Sequence, residues 1–221
     1  NILSPLIANQ KKNVEKTSQV LRGAVFSTEE VFFMLLNFGN AGNRARLLHG
    51  FLNPDYKTGG VQPTEAQMLQ LFAEYLTDEH FEAARQVWEL FADIQEQTEG
   101  VARRIMGRSP VWVQPDAFTV TTQDGRTIDL PGGYYPIVYD RKASGSGRAS
   151  ADIKEAKDMN GVFGETGVND GHLQERVANL DDKNPRPLDL TSSGISRGIG
   201  EQIHYIAWAE WVNNTNKILN Q

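Results

Sequence analysis

The sequence predicts an α+β fold that is mainly α. A helical domain carries a small β-hairpin or three-strand insert, then a long irregular segment, then a final helix. Three observations predict it. Apolar residues recur at spacings of three and four through much of 27–106, the helical period. At Val111 the chemistry changes, and short β-prone runs flank the turn-forming pair Asp124-Gly125. From Arg141 to about Asp189 apolar residues thin out among Gly, Ser, Asn and Asp, before a last apolar helix begins near Ile195.

Taken in order, Ser4-Pro5 reads as a helix start, a capping hydroxyl before a proline at the first helical position. Leu6, Ile7, Val14 and Leu21 give that helix a thin apolar stripe, with Lys11, Lys12 and Lys16 on its other faces. Ser27-Thr28-Glu29-Glu30 resembles a capping box opening a helix over Val31 to Phe38. Gly39 and Gly42 break it, and Arg44 to Phe51 reads as another short helix. A loop runs from Asn53-Pro54 to Gly59-Gly60. Pro63-Thr64-Glu65 then starts a helix bearing Met68, Leu69, Leu71, Phe72 and Leu76.

Thr77-Asp78-Glu79 starts the longest helix. Phe81, Ala84, Val87, Trp88, Phe91, Ile94, Val101 and Ile105 form one broad apolar face on it, and Gly107 with Pro110 ends it. The hairpin strands are Phe118 to Thr122 and Arg126 to Leu130, with Ile137-Val138-Tyr139 as a third strand. Between them, Gly132 to Asp140 reads Gly-Gly-Tyr-Tyr-Pro-Ile-Val-Tyr-Asp, an aromatic turn placed to lock the two halves together. The expected organisation is a helical region over 1–110, hairpin and Tyr-Gly turn over 111–140, and an irregular wrapping segment over 141–190. A helix over 191–221 then packs back on the helical region, all within one domain.

The chain has 221 residues, ample for a core, and 39% are hydrophobic. Its formal charge of −6 argues against a nonspecific grip on nucleic acid or anionic lipid. With no cysteine, disulfides and thiolate zinc sites are excluded. No apolar run approaches the roughly 20 residues that span a bilayer. The chain begins at Asn1 and not at Met, so it reads as a soluble piece of something longer.

Candidate chemistry is sparse. His49, His80, His172 and His204 have no metal-ligand spacing such as His-Glu-x-x-His. Glu201 and His204 lie three apart on the last helix and could share a face, although a buried, hydrogen-bonded histidine is the preferred reading there. Gly194 to Gly200 is glycine-rich but lacks the Gly-Lys-Ser/Thr of a P-loop and the strand of a dinucleotide fold, so flexibility where the helix begins accounts for it. Asp152, Glu155 and Asp158 read as a solvated face, and the serines near 144–150 as linker chemistry. Tyr134, Tyr135 and Tyr139 could stack bases or clamp a ligand, but a packing cluster with satisfied hydroxyls is preferred. Trp88, Trp208 and Trp211 occupy apolar helical positions and read as core.

A set of short motifs occurs in a particular order. Phe38-Gly39-Asn40-Ala41-Gly42-Asn43-Arg44-Ala45-Arg46-Leu47 comes first, followed by Val87-Trp88, Arg103 to Gly107, Phe118 and Gly132 to Asp140. Gly171 to Arg176, Leu188-Asp189-Leu190 and Glu201 to His204 complete it. The set resembles a segment of large polyvalent phage and prophage proteins, some of them similar to internal virion proteins delivered with DNA at infection. The resemblance spans about Gly39 to Leu219. It implies a segment that neighbours enzymatic modules and is usually not itself catalytic. Relatives often carry Asp after the last His, where Tyr205 stands here, which removes support for acid–base work by His204.

The resulting expectation is a structural or interaction segment of a phage internal, DNA-ejection protein, more an interaction part than an enzyme. It would sit in the virion interior and then the host cell, or otherwise in the bacterial cytoplasm. Its partners would be copies of itself or other virion proteins, with a host protein or virion DNA as further possibilities. No cofactor, metal or catalytic residue is expected. An alternative is an enzyme gathering His172, Arg176, Glu201 and His204 beneath Tyr134, Tyr135 and Tyr139. Another is a phage-delivered inhibitor of a host protein.

Overall fold

The computed structural model describes residues 15–21, 23–140, 180 and 184–219. Five helices and four short strands lie among them. Strands β1 (Glu15–Thr17) and β2 (Val25–Ser27) form one antiparallel pair, with Glu15 opposite Ser27. Helices α1 (Thr28–Phe38), α2 (Ala41–Gly50), α3 (Glu65–Tyr75) and α4 (Asp78–Met106) follow. A second antiparallel pair, β3 (Phe118–Thr121) and β4 (Thr127–Leu130), puts Val120 opposite Ile128. Helix α5 (Ser193–Leu219) closes the chain. The fold is mainly α with some β, as the sequence predicts.

Local chemistry sets the helix starts. Ser27 Oγ accepts from the Glu30 amide while Glu30 Oε2 accepts from the Ser27 amide, so α1 opens on a full capping box. Thr64 and Gln67 do the same for α3. At α4 the reciprocal acceptor is an imidazole: the Thr77 amide donates to His80 Nδ1 at 3.1 Å. Gly107, left-handed at φ 70°, stops α4.

Helix α1 is the centre of the molecule. Val31 to Phe38 are all buried, the pattern of a helix covered on every side. Around it pack Phe26, Phe51, Phe72, Phe81, Phe91, Val120, Leu130 and Tyr135, with Leu188, Leu190 and Ile195 arriving from the end of the chain. Helix α5 runs alongside α4 in the same direction. Gly198 lies against Phe91, Tyr205 and Ala209 share a cluster with Val101 and Ala102, and Glu210 reaches Arg104. Both faces step by four and three: Val87, Phe91, Ile94, Thr98, Val101 on α4, and Ile195, Gly198, Gln202, Tyr205, Ala209 on α5.

Several expectations change. Residues 15–17 are a strand, so no helix continues from Ser4-Pro5 through Leu21; 1–14 lie outside the described residues. Gly42 does not break a helix. Asn40 caps α2 by accepting from the Asn43 amide, so that helix starts at Ala41 and contains Gly42. The third strand does not join the hairpin. Tyr139 bridges Leu188, with Asp140 N–H donating to Pro187 O and Asp189 N–H to Val138 O, because residues 187–189 return beside the turn. Most of the 141–190 wrapping segment, including Asp152, Glu155 and Asp158, lies outside the described residues.

Candidate functional site

Two buried asparagines, Asn40 at the cap of α2 and Asn43 within it, hold the Gly132–Tyr135 turn. Asn40 Nδ2 donates to Gly133 O at 3.1 Å, and Asn43 Nδ2 donates to Tyr135 O at 2.8 Å. Asn43 Nδ2 also lies 3.4 Å from Asn37 Oδ1, and Asn37 Nδ2 donates to Phe33 O. In the other direction, Gly39 O accepts from both the Gly133 and Asp116 amides. Trp88 Nε1 donates to Leu36 O at 3.2 Å and lays its ring beside Gly39 and Gly133. The bonds to Leu36 O and Gly39 O satisfy carbonyls where α1 ends. The Gly-Asn-x-Gly-Asn string and the Gly-Gly-Tyr-Tyr string are therefore two halves of one clasp.

That clasp is sealed. A Cβ on Gly132, whose φ is 71°, would fall inside contact distance of Gly39 O and 2.5 Å from Asp116 O. A Cβ on Gly133 would meet Trp88 Cβ at 2.5 Å. The backbone segments touch, leaving no volume there for a ligand. Tyr135 is 1% exposed, its ring set against Phe33 and edge-on to Phe91. Burial, and then the nearby Asp189 carboxylate, push its phenol above the ordinary tyrosine range. Its hydroxyl faces the Ile195 amide but lies outside hydrogen-bonding geometry, contrary to the expectation of a satisfied cluster. Tyr134 stacks edge-on to Phe91, and the Arg186 guanidinium sits 4.1 Å from the Tyr139 ring centroid. Tyr134 and Tyr135 thus both meet Phe91, whereas Tyr139 pairs with Arg186.

Of the four residues of the alternative site, Glu201 and His204 lie among the described residues. Glu201 Oε1 accepts from Arg197 at 2.7 Å, one turn back along α5. His204 is exposed, so the expected buried histidine is not found: position 204 lies on the side of α5 turned away from α4. His172 and Arg176 lie outside the described residues. No metal-binding group of His, Asp or Glu occurs among the described residues. An open cleft of about 380 Å³ beside α2 is lined by Arg44, His49, Gln62, Glu65 and Leu180. Its guanidinium is already engaged by Phe38 O, Glu65 and Asp116. The Gly194 to Gly200 run lies inside α5, where Gly194 and Gly198 admit Tyr135 and Pro136, so close packing and not flexibility explains these two glycines.

What the core reading of the tryptophans missed is an exposed apolar face. Trp208 and Trp211 are 50% and 60% exposed, set edge-to-face with centroids 6.0 Å apart. Ile203, Ile218 and Leu219 are exposed with them. His204, Trp208, Trp211, Thr215 and Ile218 step by four, three, four and three, a second seam on the same helix. At 3.6 residues per turn it lies roughly 140° around from the seam that meets α4. The spacing was in the sequence; what hid it was that both seams read together as one helix apolar all round. No helix among the described residues is long and apolar enough to cross a membrane. No family model, no curated protein and no solved structure matches this chain.

Proposed function

We propose that this chain is a non-catalytic structural and interaction segment of a phage internal virion protein, carried in the capsid and delivered with DNA. The observation that carries the interaction half of this reading is the outer face of α5. Two tryptophans and three aliphatic side chains stand in water along one helix, the arrangement expected of a surface that another protein covers. The ordered motifs supply the phage half through their resemblance to large polyvalent phage proteins. The Gly-Asn and Gly-Gly-Tyr-Tyr motifs act as a clasp in this reading, which suits a scaffold. Against the enzyme alternative, the Glu201 carboxylate already holds Arg197, and the His204 ring stands in solvent.

Mass spectrometry of purified particles from a host or lysogen carrying the parent gene tests the proposal. The expected result is peptides of this chain in the particle, resistant to protease until the capsid is opened. Their absence from particles, with the protein abundant in the infected cell, would overturn it and favour a host-directed role.

A further inference from the structure

We propose that the outer seam of α5 pairs with the same seam of a second copy, antiparallel, about a two-fold axis at Trp211. This names the partner of the interaction surface above and rests on that reading. The seam is close to a palindrome. His204 and Ile218 each lie seven residues from Trp211, and Trp208 and Thr215 lie three before it and four after. An antiparallel two-fold therefore sets His204 against the partner's Ile218, and Trp208 against the partner's Thr215 and Asn214. Trp211 meets its own copy on the axis, and on either side of it Trp208 faces the smaller Thr215 and Asn214, a large-on-small step that lets the two helices interdigitate.

The area suits a reversible pair. Trp208, Trp211, Ile218 and Leu219 range from 50% to 76% exposed. Together they offer roughly 500 Å² of side chain per copy, against about 800 Å² per partner in a standard stable interface, with flanking atoms adding to it. The seam itself bears no carboxylate, lysine or arginine, so pairing strands no charge. Trp208 and Trp211 already hold one edge-to-face geometry, which reduces the ordering cost. A membrane surface fits less well. The formal charge is −6, and α5 carries Arg197 and Lys217 against Glu201 and Glu210, with no basic surplus for anionic lipid.

Sedimentation equilibrium over a wide concentration range reads the association. A dimer is expected, and W211E is expected to weaken it by roughly 100-fold or more, since a central tryptophan is a hot spot in both copies. Trp211 is exposed in the single chain, so the far-UV spectrum and urea midpoint of W211E at low concentration should match the parent. Because the chain has no cysteine, direction can be read by crosslinking. A mixture of H204C and I218C chains should join as the mixed pair faster than either variant joins to itself. A monomer at every concentration overturns the proposal, as does H204C joining to itself as fast as to I218C. A monomeric chain found inside particles would sink the pairing alone; a dimer absent from particles would sink the virion reading alone.

Discussion

Gly132 and Gly125 share a left-handed backbone, at φ 71° and 83°, but differ in what surrounds them. Nothing lies within 4 Å of the position a Cβ would take at Gly125, the hairpin turn, whereas at Gly132 two backbone carbonyls occupy that space. Conformation alone therefore costs about 1–2 kcal/mol at either site when Ala replaces Gly. At Gly132 backbone must also move, and moving it breaks the Gly133-to-Gly39 and Asn40-to-Gly133 bonds that end α1. The expected loss for G132A exceeds about 3 kcal/mol, against about 1 kcal/mol for G125A, both read by urea denaturation. Equal losses would mean that the clasp is loose. His80 carries a second prediction at this scale. Burial lowers its pKa from 6.5, against a smaller raising effect from Glu79. The fold therefore favours the neutral ring, whose Nδ1 accepts from the Thr77 amide. The stability this confers is full above pH 6.5 and is lost as pH falls from there towards the folded value. H80Q keeps an acceptor at the cap but does not titrate. The gap in stability between parent and H80Q should shift in favour of H80Q between pH 7.5 and 5, and a constant gap would contradict it.

Helix α5 separates two effects that a propensity scale merges. Replacing an interior helical glycine with alanine stabilises by about 1 kcal/mol when the new methyl meets nothing. Gly200 meets that condition, with nothing within 4 Å. Gly198 does not: its Cβ would press into Pro136 Cγ and lie 3.2 Å from Phe91 Cε1. Thermal or urea unfolding should place G200A above the parent by about 0.5–1 kcal/mol and G198A below it by about 1–3 kcal/mol. The same contrast shows where sequence suffices. Ser27, Thr64 and Thr77 announce their helices because a cap is local chemistry, and Asp124-Gly125 announces its hairpin for the same reason. Asn40 was obscured by the glycines on either side, although it too is a local cap. The partner of Val138 to Asp140 is set by a return of the chain from 187–189, a non-local fact that no window of residues contains. Trp208 and Trp211 have the composition of core, and only the position of α4 decides which side of α5 is covered.

At the scale of the molecule, the grip on α5 weakens along its length. Its first turns are fixed on the main core, Ile195 buried within it, Gly194 on Tyr135 and Gly198 on Pro136 and Phe91. The middle is held by a smaller cluster of Val101, Ala102, Tyr205 and Ala209, and by the Arg104–Glu210 pair further along. Helix α4 ends at Met106, so residues 214–219 extend beyond it and are mostly exposed. Opening free energies should follow this gradient, since a segment with few buried contacts opens without the rest. In a dilute sample the amides of 211–219 should exchange orders of magnitude faster than those near 198–205. Pairing along the outer seam would add protection to this segment, because a partner that binds only the closed helix stabilises it in proportion to RT ln(1 + [L]/Kd). Raising the protein concentration a hundredfold should then slow exchange at 211–219 by up to about one order of magnitude, because free monomer rises only as the square root of the total. Hydrogen exchange read by mass spectrometry at two concentrations checks both statements. Uniform protection along all of α5 in the dilute sample would show that the helix needs no neighbour to hold its end.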